Sequence, residues 1–315
     1  KKARDPGSKI NRSLAAWDCD IPTLLKPKHV AKGVRLNPVP ASSRAGMSRA
    51  ARKRGLTTGW RDLDKHLLLT FPELVVITGK PGSGKSRWVM AWVLNLARIH
   101  GVKVAFVGLE DSANRAKRHS MLYAKTWADQ ELSDPETGEV ITPIHSGHEQ
   151  DWLDGHTKFM SPAVTEEDTR DLEWLKQIIW EAACRHDCKI IVIDPWNELE
   201  HMWSRGSTES DYINAALRDL KRWCRRYSIA LVIVAHPDKT GGRNESIEEM
   251  SLYSISGGAA WKNKADGGII VGKEMNSDGE TGNTIIKCDK RKDWDTMGSP
   301  GTVVLGFDSV RGIYT

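Results

Sequence analysis

The chain has 315 residues, of which 39% are hydrophobic and 28% charged, with a formal net charge of +5 at pH 7. That balance suits a globular protein built as one large α/β domain with an extension or as two small domains, and it excludes low-complexity and fibrous classes. No apolar run reaches the length of a membrane-spanning helix, and no apolar stretch follows the basic start, so neither a membrane-embedded nor a secreted protein is expected.

The charge is unevenly placed. Residues 1–54 hold 14 Lys/Arg against 3 Asp/Glu, whereas the rest hold 32 basic against 38 acidic residues. This opening segment carries Pro22, Pro27, Pro38 and Pro40 and has little strand or helix periodicity, so it reads as a basic arm or linker with at most a short helix near Met47–Arg54. Such an arm can hold phosphate backbones by counterion release or be a solvated connector. The chain begins with Lys1 rather than Met, which leads us to expect a fragment or a processed product.

From Gly55 on, strands and helices alternate. Leu74–Thr78 reads as a strand, followed by a glycine-rich turn and a helix from Lys85 to about Ile99, with Gly101 as its C-terminal glycine. Val102–Leu109 is a second buried strand, and Ser112–Trp127 a helix. Residues 129–164, rich in Asp, Gly, Pro and His, read as an irregular insertion. Thr165 with Asp168 has the form of a capping box opening a helix to about His186. Lys189–Ile193 is a third strand, Ser210–Tyr227 a helix and Ile229–Ala235 a fourth strand. After a long polar loop to about Ser256, Gly267–Val271, Thr284–Cys288 and Thr302–Phe307 read as further strands. This order predicts a mostly parallel sheet covered by helices on both faces, with residues 55–315 as one domain. Of the five cysteines only Cys184 and Cys188 have helical spacing, half a metal site at best, and reduced thiols are the simpler reading.

Chemistry concentrates at the ends of these strands. Gly79-Lys80-Pro81-Gly82-Ser83-Gly84-Lys85-Ser86 matches the phosphate-binding loop G-x-x-x-x-G-K-[ST] in full, between a strand and a helix as that loop requires. The glycines let backbone N–H groups turn inward around phosphate oxygens, Lys85 brings a point charge to the β- and γ-phosphates, and the Ser86 hydroxyl suits Mg²⁺. Asp194 ends the third strand, where a carboxylate can hold the Mg²⁺ hydration shell. Glu110 closes the second and is read as the base for an attacking water, in preference to Asp111 and to the alternative that either residue caps the next helix. His236 ends the fourth strand, where it could register the γ-phosphate. Open α/β sheets bind ligands along this carboxyl edge.

Taken in order, Gly79–Ser86, Leu109-Glu110, Ile193-Asp194-Pro195-Trp196-Asn197-Glu198 and Val234-Ala235-His236-Pro237 resemble the motifs of hexameric replicative helicases, the DnaB-like group that includes phage primase-helicases and Twinkle-type helicases. Thr58-Gly59-Trp60 with Leu63-Asp64, and Ser256-Gly257-Gly258 through Asp266, are similar to further segments of that family. The resemblance implies a RecA-like P-loop NTPase core and an ATP- and Mg²⁺-dependent motor that forms a homo-hexameric ring on single-stranded DNA. It also implies 5′→3′ travel with duplex unwinding, Glu110 as base, Asp194 as the Mg²⁺-associated acid and His236 as the γ-phosphate sensor. DNA-facing residues would be Lys239 and Arg243 after the fourth strand, and Lys262, Asn263 and Lys264. A cation supplied to the neighbouring subunit would come from Lys290-Arg291-Lys292, with Arg291 the first choice because a planar guanidinium suits spread phosphoryl charge. Phe307 would stack on the adenine with Lys273 opposite. A primase or polymerase module, if the parent protein has one, would lie outside this chain, and a bacterial or phage-infected cytoplasm or a mitochondrial matrix would be the setting. The competing reading is a recombinase or regulatory ring ATPase of the same core that does not unwind DNA.

Overall fold

The computed structural model divides the chain into two units, Lys1–Arg52 and Lys53–Thr315. It describes residues 54–315 apart from 110–112, 129–131, 134–137, 139, 142, 161–168, 202–207, 239–244 and 277–278. The expected arm, the Thr165–Asp168 capping box, Glu110, Lys239 and Arg243 all lie outside the described residues.

The principal strands are β1 (Glu73–Thr78), β2 (Lys103–Gly108), β5 (Thr157–Met160), β6 (Cys188–Asp194), β7 (Ala230–Val234), β8 (Gly267–Asn276), β9 (Gly279–Arg291) and β10 (Gly301–Leu305). They form one eight-stranded sheet in the order β5-β2-β6-β7-β1-β8-β9-β10. The run from β5 to β8 is parallel, and β9 and β10 are added antiparallel. Two short hairpins stand apart, β3 (Leu132–Ser133) with β4 (Val140–Ile141), and β11 (Phe307–Asp308) with β12 (Ile313–Tyr314). The helices are α1 (Lys85–His100), α2 (Ala113–Trp127), α3 (Glu149–His156), α4 (Leu172–Trp180), α5 (Glu209–Tyr227), α6 (Gly258–Lys264) and the short α7 (Trp294–Met297).

The central strands are apolar throughout because both faces are covered. Side-chain alternation divides them between two cores. Val75, Ile77, Ile190, Val192, Val232 and Val234 face the core built with α1 and α2, while Leu74, Val76, Ile191, Ile193, Leu231 and Ile233 face the core built with α4, α5 and α6. On α5 the buried Ile213, Ala216, Leu217, Leu220 and Cys224 recur at helical spacing. The same helix opens on a capping box of Thr208 and Asp211. Helix α1 ends at Gly101 with φ 64°, as its sequence predicts.

Three expectations change. Helix α4 opens at Leu172, with the Asp171 carboxylate accepting the Trp174 N–H at 2.9 Å, and continues through a π turn at Glu181–Arg185. The segment 129–164, expected to be irregular, supplies a helix and the edge strand β5. That strand pairs in parallel with β2, and Phe159 stacks on Phe106 with ring centroids 5.3 Å apart. The two short strands expected near 267 and 284 form a long hairpin, because antiparallel pairing persists out to Asn276 opposite Gly279. No described helix is long and apolar enough to cross a membrane.

Candidate active site

The parallel strands place the ends of β1, β2, β6 and β7 along one edge of the sheet, and a cleft of about 1130 Å³ opens there. Its walls include Gly82, Gly84, Lys85 and Ser86 from the loop after β1, Asp194 at the end of β6 with Asn197 beyond it, and His236 after β7. Lys273, Thr284, Phe307 and Tyr314 close it on the side of the antiparallel strands. The expected phosphate loop, acid, sensor and base-stacking residues are therefore gathered into a single cavity.

The loop's geometry depends on its glycines. Gly79, Gly82 and Gly84 have φ of 153°, 77° and 85°, where residues with a Cβ are strained. A β-carbon on Gly79 would lie 2.0 Å from Val271 O of β8, whereas Gly82 has open space around it. Gly84 caps α1, whose first N–H groups lack intrahelical partners. The Lys85 ammonium is buried and donates to Gly79 O and Lys80 O, each at 2.8 Å, which holds it over the loop. The Ser83 hydroxyl is buried with no hydrogen-bond partner among the described residues. Cradling glycines, a helix N-terminus and a fixed cation fit a polyphosphate, while the hard oxygens of Ser86 and Asp194 fit Mg²⁺. Gly79→Ala is expected to displace the loop from β8, lowering the melting temperature and weakening nucleotide binding together; thermal melts of the variant with and without nucleotide check this.

Around the loop, Leu109 N donates to Asp194 O at 3.0 Å, which ties the residue after β2 to the end of β6. His236 is half-buried, and its backbone N–H donates to Asn197 Oδ1 at 2.7 Å. Asn197 thus joins the turn after Asp194 to the end of β7. Asn197 stands within the Ile193–Glu198 motif but has no role assigned from sequence, and Arg87 carries no sequence signal; its guanidinium lies 5.3 Å from the Phe307 ring centroid. Phe307 in turn packs on Tyr314 with ring centroids 4.8 Å apart. Burial pushes the Tyr314 hydroxyl up to about 12, so it stays a neutral phenol at ordinary pH.

Arg291 is a correction. Its guanidinium has no exposed surface and pairs with the equally buried Glu73, Nη1 to Oε1 at 3.1 Å. It donates further to Met297 O at 3.0 Å and Leu68 O at 2.5 Å, while Thr70 occupies the other Glu73 oxygen. Arg291 closes the core at the end of the sheet where β1 begins, whereas the phosphate loop leaves from the other end. A side chain so enclosed cannot extend to a neighbouring subunit. Lys290 is held by the Lys262 carbonyl, and Lys292 stands 59% exposed, 3.3 Å from Asp266. On α6, Lys262 pairs with Asp289 at 2.7 Å, Asn263 is exposed and Lys264 is half-buried. The buried Cys188 thiol is pushed up to about 11, which keeps it protonated, and no group of three His, Cys, Asp or Glu able to hold a metal occurs among the described residues.

Fold and cleft together define a P-loop nucleotide-binding module of RecA-like α/β architecture. The AAA domain family model matches residues 40–242, and the chain belongs to that family. The chain is 30% identical over 267 residues to the Twinkle homolog protein, chloroplastic/mitochondrial, of Arabidopsis thaliana, covering 83% of this chain and 36% of that protein. It therefore spans about a third of that relative's length. Among solved structures, the fold matches the ATPase domain of G40P with a TM-score of 0.62 at 15% identity, over 83% of this chain and 90% of the other. A DnaB-like replicative helicase determined for its interactions with primase gives a TM-score of 0.61 at 15% identity, over 87% of this chain and 64% of the other.

Proposed function

We propose that this chain is the ATP-hydrolysing motor of a replicative DNA helicase that travels on single-stranded DNA as a ring of identical subunits. The observation that carries the reading is the single cleft in which the phosphate loop, Asp194, His236 and the Phe307 ring converge. Likeness to a Twinkle homolog and to DnaB-like ATPase folds supports it.

In this reading ATP is the substrate. The loop amides and Lys85 grip the β- and γ-phosphates, and Ser86 and Asp194 hold Mg²⁺, which neutralises phosphate charge when bound. Glu110, which follows the strand end tied to Asp194, takes the proton of the attacking water. Phe307 stacks on the base, with Arg87 across its ring and Lys273 on the facing wall. His236 registers the γ-phosphate, and Asn197 links its peptide to the strand of the metal-binding acid. The loop that follows, with Lys239 and Arg243, and the end of α6 with Lys262, Asn263 and Lys264 contact the strand's phosphates. With Arg291 in the core, the cation offered to the next subunit is sought at Lys292, the exposed member of the run, with Lys290 beside it.

The test is displacement of a forked duplex carrying a free 5′ tail or a free 3′ tail. The reading predicts ATP-dependent displacement from the 5′-tailed fork. ATP turnover stimulated by single strands without displacement from either fork would support instead a recombinase-like or regulatory ATPase.

A further inference from the structure

Tyr123 lies on α2, far in sequence from the C-terminal hairpin, yet the two meet in the interior. In the hairpin, Gly306 and Thr315 exchange both backbone hydrogen bonds, each at 3.0 Å, and Phe307 faces Tyr314 as the adjoining pair. In an antiparallel ladder the pair next to a doubly bonded one turns its N–H and C=O groups away from its partner strand. Tyr314 therefore sends both main-chain groups outward, and two side chains meet them. The Tyr123 hydroxyl accepts the Tyr314 N–H at 3.2 Å, and the Trp60 indole N–H donates to the Tyr314 carbonyl at 3.2 Å. Both bonds are buried.

The Tyr314 side chain carries this anchorage into the cleft. It packs on Phe307, meets Trp60 edge to face with ring centroids 6.3 Å apart, and lines the cleft together with Thr284. Its hydroxyl would lie 3.7 Å from a β-carbon on Gly84, so the ring stands directly against the phosphate loop. A two-stranded hairpin this short has little stability of its own. Its position, and that of the Phe307 ring, depends on what holds its outer edge.

We propose that Tyr123 is a positioning residue for the nucleotide: by holding the Tyr314 backbone, it fixes the Phe307–Tyr314 ring pair where the base is seated. This rests on the reading of the cleft as an ATPase site with the base on Phe307. It ties α2, the helix that follows Glu110, to the base-binding wall.

The experiment is steady-state ATP hydrolysis by the full chain with single-stranded oligonucleotide, in wild type, Tyr123→Phe, Phe307→Ala, the double variant and Lys85→Ala. Tyr123→Phe keeps the ring and removes only the acceptor. We expect KM for ATP to rise about tenfold, equivalent to ~1.4 kcal/mol, with kcat within about twofold of wild type. In the Phe307→Ala background the same change should leave KM unmoved, because the ring through which Tyr123 acts is already gone. Trp60→Phe, which removes the donor on the other side of Tyr314, should reproduce the rise and decides the matter if Tyr123→Phe does not fold. An unchanged KM in Tyr123→Phe, or KM increases that multiply in the double variant, overturns the proposal. Normal turnover in Lys85→Ala would instead overturn the ATPase reading beneath it, so the two failures are distinguishable.

Discussion

Lys85→Ala is expected to cut ATP turnover by about 10²–10³-fold or more, the scale for removing a preorganised charge from a phosphoryl-transfer site, while the melting temperature stays near that of wild type. The physical reason is position. Lys85 is 5% exposed and its ammonium is held by two loop carbonyls at 2.8 Å, so its charge is fixed before substrate arrives and costs little reorganisation when it meets the γ-phosphate. Alanine removes that charge and leaves the glycine-shaped backbone in place. Steady-state hydrolysis and a thermal melt of the same sample check both halves. Turnover near the wild-type rate would remove Lys85 from the chemistry.

Arg291→Ala is expected to lower stability by about 3–5 kcal/mol, the cost of leaving one member of a buried ion pair alone. The Glu73 carboxylate would remain fully buried beside the start of β1. Desolvation opposes its charge, and the Arg291 guanidinium is the largest influence acting against that cost. Any loss of hydrolysis in this variant would then follow from unfolding, not from a missing transition-state contact. Denaturant unfolding of Arg291→Ala, and of a variant with Met at both 73 and 291, separates the two. The paired apolar replacement should recover most of the lost stability, since apolar residues of similar volume can replace a buried ion pair at little cost. An Arg291→Ala protein as stable as wild type yet unable to hydrolyse ATP would return Arg291 to the role that the sequence suggests.

Much of the site was legible because its chemistry is local in sequence. The phosphate loop is one uninterrupted run between β1 and α1, and Asp194 ends, and His236 follows, an apolar strand that only a parallel sheet would bury on both faces. Parallel strands bring their ends to one edge, so the convergence followed from the strand order. What was not legible is decided by tertiary placement. Residue type and family pattern favoured Arg291 over its lysine neighbours, but nothing in the run Lys290-Arg291-Lys292 states which of the three turns inward; Glu73, over two hundred residues earlier, decides it. Strand β5 was missed because an edge strand of four residues, Thr157-Lys158-Phe159-Met160, has too little apolar alternation to stand out from its surroundings. Arg87 and Tyr314 carry no motif, and Asn197 stands inside one without a chemical signature that would set it apart. Asn197 matters because its side chain reaches the backbone of His236, and Tyr314 because the chain's end folds back against Gly84.

The most direct test of the account is the rate of ATP hydrolysis by the purified chain with Mg²⁺, with and without a single-stranded DNA oligonucleotide. Turnover is expected, and the oligonucleotide is expected to raise it severalfold. Absence of turnover in both conditions, in protein that melts cooperatively and is therefore folded, would contradict it.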